Sequence, residues 1–199
     1  MNTIPHSLLP LSPVTPIAIL VVIAILIVVE MGLVFGFFLP GDFLLIAAGI
    51  LAGSYSDISW KSVAITVAAA SFIGSELGFF VGKRFGYVLT RNNNPPSIQK
   101  AIATIKRYLA SSGWLTVLLG NFAPGLRAFI PIIAGQSGMN RVKYASANAF
   151  GSMAWASVLT FIGLKLASIT AVQDSPFVIV SGLFLISSGA SIVHYFRAM

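Results

Sequence analysis

The sequence predicts an all-α polytopic membrane protein with an inverted-repeat-like plan, two re-entrant helical hairpins plus about four transmembrane helices. Three observations predict it. Of 199 residues, 57% are hydrophobic and only 9% charged, whereas soluble chains carry about a quarter charged. Apolar runs of the ~20 residues needed to cross a bilayer recur along the chain. Two apolar stretches are broken by Pro-Gly, which at membrane depth is tolerated only where the backbone is buried in protein or lines a cavity.

Residues 1–16 are Pro- and Ser-rich and read as a flexible N-terminal segment; residues 17–199 read as a single membrane domain. Residues 1–16 carry no Lys or Arg, and the apolar run from Ile17 leads straight into Glu30. That is not the pattern of a cleaved signal, so the first apolar segment is expected to be retained. Residues 17–38 form a span, apolar apart from Glu30. "LPGDFLLIAAGILAG", 39–53, reads as helix–break–helix, with Pro40 and Gly41 at the break. It is too short to cross and forms the first re-entrant hairpin. After the polar loop 54–59, a span covers 60–82, with Gly74, Gly78 and Gly82 at a spacing that lets helices approach closely.

Residues 83–112 form a basic connector holding Lys83, Arg84, Arg91, Lys100, Lys106 and Arg107 and no acid. "RNNNPPS" interrupts it, and 97–110 reads as an amphipathic helix on the membrane surface. Residues 114–138 are apolar but interrupted at Pro124, Gly125 and Pro131, the breaks of a second hairpin. Residues 144–168 and 176–196 are two further spans.

Charge sets the topology. Basic loops lie on the cytoplasmic side, so the connector and Arg141 with Lys143 are both cytoplasmic. A segment flanked on both sides by cytoplasmic residues enters and returns, which makes 114–138 re-entrant. Span 60–82 then puts loop 54–59 outside, and 39–53 dips in from the opposite face. Lys61 and Lys165, near outer ends, are mild exceptions. "FFLPGDFLLIAAG" (37–49) and "NFAPGLRAFIPIIAG" (121–135) share Phe-x-Pro-Gly, an apolar run and Ala-Gly. With opposite entry, this fits the inverted repeats of transporters, whose broken helices meet near the midplane.

Composition also excludes. There is no cysteine, and His6 and His194 sit near opposite ends of the chain, so no metal or other cofactor is expected. The net charge of +7 is explained by loop placement and attraction to anionic headgroups, not by nucleic acid. "GSELGFFVGKRFG" ends an apolar span and follows no phosphate-binding strand. No nucleophile–base pair is found, so an enzyme is not expected. Self-association into a homo-oligomer is left open.

Of five acids, Asp57 and Asp174 fall in expected outer loops, while Glu30, Asp42 and Glu76 lie in apolar surroundings. An intramembrane acid is a functional candidate because its ionised form is costly there, and these three are the candidates for proton coupling. Each can instead be interfacial or a structural hydrogen-bond partner, and Glu76 can simply brace helices. Arg127 occupies in the second hairpin the place Asp42 occupies in the first. A guanidinium beside a broken helix makes an anion site that stays charged at any pH. It is expected in a water-accessible cleft, and the competing reading is a salt bridge to Asp42 or Glu30.

Together, Glu30 twelve residues before Asp42 in "LPGD", then "GSELGFFVGKRFG", then "NFAPGLRAFIPIIAGQSGMNRVKYASANAFGSMAW" resemble the DedA family, also called the SNARE-associated or VTT-domain family. The family reads close to Arg-Phe-x-Pro-Gly-x-Arg in the last stretch and Gly-Asp-x-x-x-Tyr in the second. Here Asn121 replaces the first arginine, Ser75 the aspartate, with Glu76 one place later, and Phe79 the tyrosine. The resemblance implies a phosphate site at Arg127, with Asn121 as an uncharged helper. It also implies lipid translocation: bacterial members are associated with returning undecaprenyl phosphate to the cytoplasmic leaflet, others with proton-dependent homeostasis, and eukaryotic relatives resemble scramblases.

The leading expectation is a multi-pass protein of the bacterial inner membrane that moves a lipid phosphate, such as a polyprenyl phosphate, with proton coupling. Its partners are then membrane lipids, the substrate and protons. The alternatives are a proton-dependent small-ion antiporter, with Arg127 as a structural counter-charge, and a non-transporting scaffold or homeostasis factor.

Overall fold

Every described stretch of regular structure is helical, as near-continuous apolar sequence in lipid requires, because a helix satisfies its own backbone. The computed structural model describes residues 14–32, 41–54, 59–89, 96–123 and 126–169. Within these lie six helices: α1 (Val14–Gly32), α2 (Gly41–Ser54), α3 (Trp60–Leu89), α4 (Pro96–Gly120), α5 (Phe129–Gln136) and α6 (Arg141–Leu166). The expected N-terminal segment, the breaks at Pro40, Pro124 and Gly125, and the span 176–196 lie outside the described residues apart from 14–16.

Helix α2 covers the part of the first expected hairpin that follows its break. Residues 41–54 are one uninterrupted helix of 14 residues. No proline follows Gly41, so the sequence has nothing to break this helix. Asp42 therefore stands in the first turn, where a carboxylate meets the positive end of the helix dipole.

Helix α3 has 30 residues, ~45 Å at 1.5 Å per residue. It carries Lys83 and Arg84 as exposed side chains of its last turns, so the basic connector starts later than expected. "FGYVL" offers the helix no proline, and the charges fall beyond the apolar length. Helix α4 begins with Pro96 at its first position, where the missing N–H costs nothing. It bends at Ser112, which has non-helical angles (φ −146°, ψ 56°). The Thr116 hydroxyl lies 3.0 Å from each of the carbonyls of Tyr108 and Ser112, serving groups the bend frees. The limb before the bend is the expected amphipathic helix, with Ile102 and Ile105 buried and Lys100, Lys106 and Arg107 exposed.

After α4 the chain leaves helical geometry and re-forms a helix at Phe129. Residues 114–138 are thus helix, break and helix. Pro131 is not one of the breaks. It sits third in α5, in the first turn, where its N–H would find no intrahelical acceptor. Just past the end of α5 the chain turns at Gly138 (φ 69°). There the Gly138 N–H donates to Gly135 O and the Met139 N–H to Ala134 O, both at 3.2 Å. This left-handed closure suits glycine. Asn140 Oδ1 then caps α6, accepting from Val142 N (2.9 Å) and Lys143 N (3.1 Å).

Two cores form. One joins α1, α2, α3 and α6 around Ile27, Leu45, Val67 and Trp155. The other joins α3, α4, α5 and α6 around Phe79, Val117, Ile133 and Tyr144. Exchanging α1–α2–α3 with α4–α5–α6 carries most of the packing onto itself: α1 on α3 becomes α4 on α6, and α2 on α6 becomes α5 on α3. The shared Ala-Gly of the two Pro-Gly stretches explains the latter pair. A Cβ on Gly49 would run into the Thr160 carbonyl of α6, and one on Gly135 into the Phe79 carbonyl of α3. Gly163 and Gly82 answer them from the long helices. Gly74 and Gly78 likewise admit α1 and α5 to α3, so their role is packing.

Among the described residues, α3 (Trp60–Tyr87) and α6 are long and apolar enough to cross a membrane; Leu20–Gly32 and Asp42–Gly53 are apolar but shorter. Both long helices expose large apolar side chains such as Ile73, Phe80, Phe150 and Phe161 while burying others, as elements apolar on every face do in lipid.

Candidate functional site

Four separate stretches converge on one ionic cluster. Glu30 stands on α1 near its end, Asp42 in the first turn of α2, Arg127 in the break before α5, and Trp155 in the middle of α6. The Arg127 guanidinium donates through Nη1 to Asp42 Oδ1 (2.5 Å) and through Nη2 to Glu30 Oε1. Trp155 Nε1–H donates to the same Asp42 oxygen at 2.9 Å. The guanidinium carbon sits 4.9 Å from the Trp155 ring centre, a cation–π contact. Glu30 and Arg127 are 2% and 7% exposed; the Asp42 side chain is more open, at 26%.

The expected water-accessible cleft is therefore closed in this conformation, and the ion-paired arrangement is the one observed. A small space remains beside Arg127. With Asn121, Ser75, Tyr144 and Asn148 it lines a cavity of about 10 Å³, near the minimum for one water. Asn121, just past the end of α4, is buried and donates through Nδ2 to Val117 O (3.4 Å).

Glu76 stands apart from the other two acids. Its Oε1 accepts from Asn148 Nδ2 (3.4 Å), and its Oε2 lies 4.0 Å from Arg141 Nε. From Asn148 a buried chain continues through Ser152 (3.2 Å) to Ser71 (3.1 Å). Ser75, at the family's aspartate position, lines the Arg127 cavity. Glu76, ~100° further round α3, is not in that lining. Its neighbour's carbonyl is also taken, since Tyr144 Oη–H donates to Ser75 O at 3.0 Å.

Sequence reasoning weighed the charged residues and passed over Trp155, Tyr144, Asn148, Ser152 and Ser71. A signal for part of this existed: Tyr144, Asn148 and Ser152 recur every four residues, one face of α6. Among the described residues no cluster of His, Cys, Asp and Glu could hold a metal ion.

The family model described as the VTT domain matches residues 39–165, from the first Pro-Gly to the end of α6. The chain belongs to the VTT-domain, or DedA, family. Protein DedA of Escherichia coli K12 is 28% identical over 170 residues, 84% of this chain and 78% of the relative. The inner membrane protein YghB of the same strain is 32% identical over 149 residues, 72% and 66% of the two chains. An uncharacterised membrane protein of Mycobacterium leprae is 29% identical over 160 residues, 80% and 71% of the two chains. No solved structure gives a significant match. The chain is thus a membrane protein of the DedA family, and the matched region holds Asp42, Arg127 and Trp155 but begins after Glu30.

Proposed function

We propose that this DedA-family protein translocates a lipid phosphate across a bacterial inner membrane, coupled to protons, with Arg127 as the headgroup site. The observation that carries this reading is one buried guanidinium held between two carboxylates from different helices. With both acids ionised the cluster holds one cation and two anions, a net negative charge that is costly in lipid. One proton neutralises it. A second frees Arg127 to take a phosphate, whose oxygens fit the guanidinium fork. Protonation of Glu30 and Asp42 and binding of an anionic headgroup then favour each other.

The paired packing of α1–α2–α3 and α4–α5–α6 supports an inverted repeat in which α2 and α5 are the inner legs of re-entrant hairpins entering from opposite faces. Asp42, one residue past its Pro-Gly, and Arg127, two residues past its own, pair with each other, which suits hairpins that meet tip to tip. Asn121 serves as an uncharged headgroup contact. Glu76, beside Arg141, exchanges protons at the cytoplasmic end.

The same ion pairing supports a second reading, a proton-dependent small-ion antiporter with Arg127 as a fixed counter-charge. Pure protein in vesicles decides between them. Leaflet-resolved movement of a fluorescent polyprenyl or diacyl phosphate, accelerated by a proton gradient and lost in Arg127→Ala, is the expected result. Cation-driven proton flux without lipid movement would establish the antiporter, and neither activity would leave a scaffold.

A further inference from the structure

A second cavity opens beside the bent helix α4. It measures about 460 Å³, within the ~300–1,000 Å³ of ligand pockets. Its walls are mostly apolar, from Leu115, Leu119, Ala123, Leu126 and Ile130. Leu115 and Leu119 are half exposed, so the groove faces outward. Its other end is polar, at Tyr108, Ser112 and Thr116 around the bend. There the Arg107 guanidinium lies 5.4 Å from the Tyr108 ring. Lys100 and Lys106 are exposed on the same limb, and α4 contains no acidic residue.

An outward apolar groove in a membrane is filled by a hydrocarbon chain, because lipid is the solvent there. Which lipid fills it depends on the polar end. Arginine and lysine on the limb beside it favour an anionic headgroup. An apolar trench whose polar end lies beside a basic helical limb is therefore complementary to an amphiphilic anion.

The groove also continues the site already described. Ile130 and Gly120 line both this groove and the small cavity of Arg127 and Asn121. The Ile130 side chain folds into the space that a Cβ on Gly120 would occupy. The contact of Ile130 with Gly120 thus lies between the apolar groove and the cavity of the buried guanidinium.

We propose that this groove is the tail-binding site of a phosphate lipid drawn from the surrounding bilayer, whose headgroup first meets Arg107 and reaches Arg127 when Ile130 swings off Gly120. The identity of the occupant rests on the lipid-phosphate reading. The groove as a selective lipid site does not.

The test uses the full chain in phosphatidylcholine nanodiscs and a phosphatidic acid probe with a photoreactive diazirine in its acyl chain. Crosslinks should map to residues 115–130, and a phosphatidylcholine probe of the same chain should label far less. Leu119→Trp and, independently, Leu115→Trp fill the groove and should lose these crosslinks. Both leucines face outward, so the tryptophans are expected to leave the melting temperature unchanged. Arg107→Gln should cut the preference for phosphatidic acid about fivefold, the effect of one cation near an anionic surface. Arg127→Ala should keep the groove crosslinks and lose lipid flipping. Equal labelling by phosphatidylcholine, or crosslinks that survive both tryptophans, would overturn the proposal whatever the flipping assay shows. Selective groove labelling in a protein that flips no lipid would uphold the groove and sink the transport reading instead.

Discussion

Removing the cation from the buried cluster while keeping its carboxylates is the most informative perturbation. Arg127→Met preserves much of the side-chain volume but leaves Glu30 and Asp42 facing each other. Glu30 is 2% exposed and so meets little solvent, whereas the Asp42 side chain is 26% exposed. Breaking a buried pair by removing one partner costs about 3–5 kcal/mol. The Glu30 half should dominate, with a smaller loss from the Trp155 stacking, ~0.5–2 kcal/mol. The control is Glu30→Gln, Asp42→Asn and Arg127→Met together. With no charge left to strand, its stability should return to within about 1 kcal/mol of the wild type, while lipid flipping stays absent. Unfolding free energies from dodecyl sulfate titration in mixed micelles, paired with vesicle flipping, give both readouts. A loss below about 1 kcal/mol for Arg127→Met would mean that the pairs do not form in the membrane. Wild-type flipping by the triple variant would mean that the charges serve folding alone.

Glu30→Gln and Asp42→Asn should each leave a folded protein that flips lipid poorly and no longer responds to a proton gradient; full activity with an unchanged pH profile would remove that residue from the coupling. Trp155→Phe keeps the ring but loses the 2.9 Å bond to Asp42, a charge-assisted contact worth ~1.5–3 kcal/mol, read in the same titration. Gly135→Ala drives a Cβ into the Phe79 carbonyl and should destabilise by ~1–3 kcal/mol, with altered packing of α5 on α3 visible as faster proteolysis. For topology, single cysteines at Asn93 and Asn140 should be labelled only from the cytoplasmic side, and one at Ser56 only from outside. Labelling of 93 and 140 from opposite faces would end the re-entrant reading of 114–138.

The partners of the ionic cluster were legible because the chain has few charges in apolar sequence, and a lone Arg127 in lipid must find Glu30 or Asp42. The duplicated Phe-x-Pro-Gly and Ala-Gly pointed to paired halves, and the glycine contacts of Gly49 and Gly135 give that repeat a physical meaning. Helix boundaries were less legible. Pro131 looked like a breaker because sequence alone does not say that a helix starts two residues earlier. Lys83 and Arg84 looked like loop because the bilayer limit was taken for the helix limit. The bend at Ser112 left no proline to announce it, and "SSG" reads equally as a helix frayed by polar residues. Burial of Arg127 was missed because a static ion pair and an open anion site need the same residue type. Trp155 was missed because an aromatic ring in an apolar helix is usually packing, and its N–H acquires a partner only when α2 brings Asp42 alongside.

The glycine contacts of α2 on α6 and of α5 on α3 have a mechanical side. At those glycines main chain lies directly on main chain, so little side-chain relief interlocks there. Interdigitated helices must lift their knobs out of facing holes to slide, and that requires coordinated rotamer changes. A smooth surface resists separation but offers little friction to translation along it. The two short helices that carry or follow the opposed charges thus rest on bearings, one against each long helix. The polar cluster between them is the latch. Releasing it would let both short helices glide by fractions of a helical turn while α3 and α6, packed on each other, stay still as the frame.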